Sequence, residues 1–459
     1  MKPVVRKARF SFWVLKEVFH RYFRFLTVGM FVLLIFAVII FQGIMKYIES
    51  TRSTTERIGI VGTYTTSNFP LEIQSLISLG LTQLSESGEA TSSLASGWEA
   101  SESGKLFTFH LKEGIEWHDS KVFNAKNVTY KLKDVEVDSP TLYTMTFRLK
   151  DPYAPFPIVL HQPIFKANLV GVGPYKVSRV EFDGQYLSRL LLMQKEKGTD
   201  AKLYKFYPTE SAAQLALKLG EIDILPNIST PSAFSSWGNL TVEAQPNYNK
   251  EVVVFYNTKD NLLSEKSLRQ ALTYALPDLS NDEIPSKGPF NPLSWAYTDT
   301  VKNYTHDIEK AKSLLAKLEK NGSPLEVTLS TIPLYEPLAQ RIAASWEEIG
   351  VKTTIRIEPL APQSFQALLI GQILPADPDQ YPLWHSTQPT NITGYNNPKI
   401  DKLLEDGRKT LHQDERKQIY QEFQKIIVDE APAAFLYYPK EYKITRKQTN
   451  LLSLLRHIF

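Results

Sequence analysis

The chain has 459 residues, 43% of them hydrophobic and 22% charged, with a formal net charge of +3. It is longer than one hydrophobic core usually serves, so two or more lobes are expected. The small net charge excludes an electrostatic nucleic-acid binder. The absence of cysteine excludes disulfides, thiolate metal sites, cysteine nucleophiles and lipid attachment through cysteine.

Residues 25–45 carry no charge. As a helix they would span roughly 31 Å, matching a hydrocarbon core of about 30 Å. Lys2, Arg6, Lys7, Arg9, Lys16, Arg21 and Arg24 precede them, against Glu17 alone. That bias puts residues 1–24 in the cytoplasm and the chain after Lys46 outside. The run is longer than the apolar part of a signal peptide, and Phe41-Gln42-Gly43-Ile44-Met45 offers no small-x-small cleavage site, so an uncleaved anchor over 25–48 is expected. Residues 8–25 mix basic and aromatic side chains and could lie along the inner headgroups. Residues 49–57 read as a polar tether.

Beyond the tether, residues 58–61 read as a strand and 62–70 as a polar turn carrying Tyr64 and Thr66. Residues 71–79 have helical spacing, and 94–120 read as paired strands. A helix over 211–219 closed by Gly220 leads into a short strand at 222–225. Residues 252–257 form a strand ending in Tyr256 and Asn257, and 267–276 a helix. The loop 289–297 presents Trp295 and Tyr297. Strand and helix then alternate. A helix from Ile308 runs through Leu318, capped at Thr305 or Asp307 and closed by Gly322. A strand follows over 325–329, then a helix to Ile349, then a strand over 351–357. Phe365, Leu368 and Leu369 have helical spacing. Residues 372–395 have neither period, and hold four prolines with Asp377, Asp379, Tyr381, Trp384 and His385. Such a loop is either a self-packed surface segment or the wall of a ligand cleft. Helices over 399–411 and 414–429 and a strand over 433–438, with Tyr437 and Tyr438 at its end, complete the pattern. The expected fold class is α/β in two lobes, behind an N-terminal transmembrane helix.

An ordered set of motifs carries a resemblance. Trp98-Glu99 precedes Phe107-Thr108-Phe109-His110-Leu111, then Trp117-His118-Asp119-Ser120 and Ala125 to Tyr130. Gly171-Val172-Gly173-Pro174-Tyr175, Leu219 to Ile224, Arg269-Gln270-Ala271-Leu272 and Tyr395 to Asp401 follow. Residues 58–445 thereby resemble the extracellular solute-binding protein family 5, the peptide-, oligopeptide- and nickel-binding components of ABC importers. From the residues alone most of these motifs are scaffold, and His118-Asp119 is a hairpin tip rather than a metal or acid–base pair. The resemblance implies a type II periplasmic-binding-protein-like fold with the DPD-aromatic loop crossing the cleft floor. The expected lobes are 58–276, with a reduced subdomain at about 85–165, and 277–437, the chain then returning to the first lobe over 438–459.

The sequence departs from the family at one telling place. Peptide binders carry an acid a few positions before the DPD-like turn that pairs with the peptide amino group; here counting back lands on Leu374. Asp377 and Asp379 remain as acids. The candidate ligand walls are Tyr64, Thr66, Tyr256, Asn257, Trp295, Tyr297, Asp377, Asp379, Tyr381, Trp384, Tyr437 and Tyr438. The resemblance implies capture of short peptides for ABC permease subunits, without a cofactor or metal. Two alternatives are another small solute, such as a metal chelate or oligosaccharide, and a membrane-anchored sensor or scaffold. No HExxH, nucleophile elbow or phosphate loop appears, so catalysis is not expected.

Overall fold

A computed structural model describes residues 3–51, 55–195, 200–231, 234, 236–281, 283–316 and 325–447. Helix α1 (Pro3–Thr51) is one unbroken helix. No break falls near residue 25, so the basic and aromatic segment and the apolar run share one helix. Within it Arg21–Gly43 is apolar enough to cross a membrane, and 23 residues rise about 34 Å. Side chains such as Phe25, Phe31 and Leu33 lie open to solvent. The expected tether is shortened too, since the helix reaches Thr51 and β1 (Thr55–Val61) begins four positions later.

The rest of the described chain builds four sheets, of seven, six, four and two strands. After α2 (Leu71–Ile77) comes a small hairpin, β2 (Thr82–Leu84) and β3 (Ala90–Ser92). The subdomain follows as β4 (Ala95–Ser101), β5 (Leu106–Leu111), β6 (Val135–Thr141) and β7 (Thr144–Leu149), with α3 (Phe156–Val159). Alternation makes this sheet: Phe107, Phe109 and Leu111 of β5 and Met145, Phe147 and Leu149 of β7 all turn inward. The Trp117–Ser120 turn places Ser120 at a left-handed φ of 62°.

Lobe one is the seven-stranded sheet, completed by β8 (Tyr175–Asp183), β9 (Tyr186–Gln194), β10 (Ala201–Tyr207), α4 (Glu210–Leu219), β11 (Ile224–Ile228) and β12 (Leu240–Pro246). Thr209 caps α4 by accepting from Ala212 N, and Gly220 ends it at φ 75°, a conformation glycine adopts without cost.

Lobe two begins with β13 (Lys250–Tyr256), whose six residues after Lys250 are all buried: Glu251, Val252, Val253, Val254, Phe255 and Tyr256. It continues with α5 (Lys266–Tyr274), β14 (Ile284–Pro285), α6 (Ile308–Leu315), β15 (Leu325–Thr331), α7 (Glu336–Glu348), β16 (Val351–Ile357) and β17 (Ala367–Ile373). Then come α8 (Tyr381–Trp384), α9 (Pro398–Lys409), α10 (Gln413–Glu430) and β18 (Ala433–Tyr438), before β19 (Lys440–Arg446) enters the lobe-one sheet between β12 and β11. Asp307 caps α6; Leu318 and Gly322 lie outside the described residues.

Two expectations are corrected here. Phe365, Leu368 and Leu369 belong not to a helix but to β17 and its approach, paired with β13 from Tyr256↔Ala367 to Lys250↔Ile373. The lobe boundary lies not at 276 but at 247–249, because β13 hydrogen-bonds β17 and β18 and no lobe-one strand.

Each lobe has its own core. The two faces of β13 feed separate clusters, Val252, Val254 and Tyr256 on one side and Val253 and Phe255 on the other. Lobe one and the subdomain hold the remaining clusters. Among the described residues no apolar cluster spans both lobes.

Candidate functional site

The strand directions locate the face where the lobes meet. The chain crosses from lobe one to lobe two between Pro246 and Lys250, and returns between Tyr438 and Lys440. The crossings lie side by side: Asn247 N donates to Pro439 O at 2.9 Å, and Lys250 pairs with Glu441. In lobe two β17 is antiparallel to β13, and Lys250 faces Ile373, so β17 ends at the crossings. Strands β15 and β16 run parallel with β17, register Thr331↔Leu369 and Thr331↔Ile357, and their carboxyl ends lie on the same side. In lobe one β11 is antiparallel to β19 and ends at Ile228↔Tyr442, while β1 is parallel to β11. The turn 62–70 after β1 therefore lies at the crossing end as well. Carboxyl ends of parallel strands are where open α/β sheets bind ligands. Two such ends joined by a double crossing are the arrangement in which lobes close on a ligand by hinge motion.

Against that frame the sequence-predicted residues fall into three groups. Tyr64 and Thr66 lie on the lobe-one rim. The Tyr64 hydroxyl donates to Val61 O at 3.1 Å and its ring meets Phe206 edge-on at 5.7 Å. Gly62, at φ 125°, leaves no room for a Cβ, which would sit 2.8 Å from the Tyr64 ring. Thr66 is exposed at the turn. Tyr437 and Tyr438 end β18 at the hinge. Tyr438 is buried, donating to Phe290 O at 2.9 Å and packed edge-on against Tyr248 at 5.3 Å, so it shapes the hinge rather than a free wall. Tyr437 is half-buried.

The second group forms a seam between lobe two and the subdomain. Asp379 Oδ2 accepts from Arg408 Nε at 2.8 Å and lies 3.4 Å from the Tyr153 hydroxyl. The Arg408 guanidinium stacks over Tyr381 at 4.2 Å and Tyr153 at 5.2 Å. Ala154 N donates to Arg408 O at 2.7 Å and Trp295 N to Ser87 O at 3.2 Å. Asp377 accepts from Arg416 at 3.0 Å, both nearly buried, with the guanidinium 5.1 Å from the Trp295 ring. Burial pushes the Asp377 carboxyl up against the pull of Arg416. Tyr297 is half-buried beside them, its carbonyl accepting from Gln421. Reading either acid as a free ligand group is thus corrected: both are already neutralised by arginines. Leu374 is buried, its N–H donating to Asn249 O at 2.8 Å.

The third group leaves the cleft. Tyr256 is fully buried beside Trp346, its hydroxyl 3.3 Å from Thr273. Asn257 lies at the far end of β13, tying Phe365 O and Lys259 N. Trp384 is 2% exposed and packs between Phe255 and Phe435. These three are corrected from walls to core and ties, because β13 is central and α8 turns its ring inward. A cavity of about 630 Å³ lined by Leu276, Tyr304 and Phe435 opens on the flank of β18, and no predicted residue lines it.

Sequence reasoning missed Glu251. It is fully buried next to the hinge, bonded to Ser286 and to Gln372 Nε2 at 2.9 Å. Among the described residues no cation is paired with it, and burial raises its pKa to about 8. The unfolded carboxyl ionises above its ordinary 4.5, whereas the folded one keeps its proton to about 8. Stability from this group is full below the lower value and is lost as pH rises to the upper one, by roughly 1.4 kcal/mol per pH unit. Glu251→Gln should therefore flatten the fall in urea midpoint between pH 5 and 8; an unchanged slope would contradict this.

Comparison with known proteins decides the family. The model of bacterial extracellular solute-binding proteins, family 5, matches residues 89–394, well over half of the chain. The chain belongs to this family. Family 5 members are binding proteins rather than enzymes. The chain is 25% identical to the dipeptide-binding protein of Escherichia coli K12, covering 78% of this chain and 83% of that one. Among solved structures, NikZ from Campylobacter jejuni in complex with Ni(L-His) aligns with a TM-score of 0.69 at 23% identity, over 86% of this chain and 94% of that one. The ABC transporter substrate-binding protein CtaP from Listeria monocytogenes aligns at 0.73 and 22%, over 86% and 94%. These likenesses show the family 5 fold, a type II periplasmic-binding-protein architecture.

Proposed function

We propose that this family 5 protein captures short peptides between its two lobes and hands them to the permease of an ABC importer, held at the outer membrane surface of the cytoplasmic membrane by α1. The observation that carries this is the double crossing, with the carboxyl strand ends of both lobes gathered around it. An extended peptide can bind between lobes by adding to strand edges through main-chain hydrogen bonds, which supply affinity without demanding one sequence. Closure on the solute would present the shape a permease reads. Tethering would raise the local concentration near that permease. Calorimetry with a mixed di- to penta-peptide library should give heat and a raised melting temperature; the absence of both signals would count against peptide capture. The mass of the membrane-extracted protein should include residues 1–24, whereas a mass beginning after residue 45 would mark α1 as a cleaved signal.

A second reading is favoured by one observation. Asp377 and Asp379 are both paired with arginines, so neither offers a free carboxylate to a peptide amine. A metal chelate would need none. Among the described residues no group of three or more His, Asp or Glu could hold a bare ion, so the metal would arrive with its own ligands. Native mass spectrometry of protein purified without refolding separates the readings by the mass of the co-purified solute.

A further inference from the structure

The wall that lobe two turns toward the cleft is aliphatic. Ile373 ends β17 and is 75% exposed; Ile357 ends β16 and is 43% exposed. Leu360 and Leu334, in the segments that leave β16 and β15 at this end, are 78% and 58% exposed. Single exposed apolar side chains are ordinary. Four at the carboxyl ends of three adjacent strands, on the side of the sheet where the crossings lie, mark a binding surface.

Two cations near this end are already engaged. Arg356 pairs with Glu358 and Lys250 with Glu441. Glu336, in the first turn of α7, accepts from Gln340. Glu251 is buried and hydrogen-bonded. The lobe-one rim is different in kind. Its turn carries exposed Thr66, Ser67 and Asn68, with Ser229 and Thr230 following β11. The lobe-one turn offers hydroxyl and amide groups, whereas the four exposed side chains of lobe two named above are hydrocarbon.

We propose that the solute is a short peptide with aliphatic or aromatic side chains, which lie against Leu334, Ile357, Leu360 and Ile373 while its main chain meets the polar turn of lobe one. This rests on the peptide-capture reading and narrows it. A lysine or glutamate side chain laid on those four side chains would lose water against hydrocarbon. Each apolar side chain seated there should strengthen binding on the order of tenfold.

The test is titration calorimetry of the full chain in detergent with matched tripeptides. The frame is Ala-X-Ala, with X as Leu, Phe, Lys or Glu. Leu and Phe should bind at least about tenfold more tightly than Lys or Glu. Leu360→Glu and Ile373→Glu should remove that preference, and Leu219→Glu, on an exposed face of lobe one, should leave it. Charged tripeptides binding as tightly as apolar ones would overturn the narrowing and leave peptide capture standing. Binding of none of the four would overturn both. Because the wild-type series is decisive alone, misfolding of a variant does not blur the result.

Discussion

Arg416→Ala should lower the unfolding free energy by about 3–5 kcal/mol, the range for stranding one partner of a buried ion pair. Arg416 Nε donates to Gly407 O at 2.9 Å and its Nη2 reaches Asp377 at 3.0 Å. Removing it leaves the Asp377 carboxyl buried with no cation. Asp377 Oδ1 would keep only the Asp379 N–H at 2.9 Å, and Oδ2 has no hydrogen-bond partner among the described residues. The lost stacking on Trp295 and Tyr420 adds to the effect. Urea unfolding followed by tryptophan fluorescence measures it. The double variant Arg416→Met, Asp377→Leu should recover much of the loss, since apolar replacements can match a buried pair. A single variant within about 1 kcal/mol of wild type would show the pair to be solvated.

Gly88→Ala should lift the subdomain off lobe two. Gly88 lies at φ 84°, and a Cβ there would sit 2.1 Å from Ala376 O. The left-handed conformation alone costs a non-glycine residue about 1–3 kcal/mol, and the overlap is with backbone, which cannot swing aside. The neighbouring contacts would then part: Trp295 N to Ser87 O, Gln413 to Glu89, and Arg408 with Tyr153. Small-angle scattering should report a larger radius of gyration, and solute affinity should fall on the order of tenfold (about 1.4 kcal/mol). Unchanged dimensions with only a lower melting temperature would show that the seam is a local fit without bearing on closure.

Local pattern made much of lobe two legible. Val351 to Ile357 alternates, Leu338, Ile342 and Trp346 share one face of α7, and Asp307 caps α6. Strand β17 was misread because Leu368 and Leu369 follow Phe365 at helical intervals. In a strand buried on both faces, consecutive apolar residues carry no period. The acids misled for another reason. Arg408 lies 29 positions from Asp379 and Arg416 lies 39 from Asp377, and nothing local announces that α9 and α10 fold back to neutralise them. Ile357, Leu360 and Ile373 were passed over because an aliphatic residue near a strand reads as core. Only the strand directions reveal that these ends face a second lobe.

The chain contains no cysteine, so paired labels can be introduced cleanly. Glu243→Cys on β12 and Lys352→Cys at the start of β16, both exposed and away from the crossings, would carry a donor and an acceptor dye. If solute is captured by closure about 247–249 and Pro439, energy transfer should change saturably on adding the apolar tripeptide, with a midpoint equal to the calorimetric dissociation constant. Transfer that stays constant while calorimetry records binding would contradict a hinged cleft.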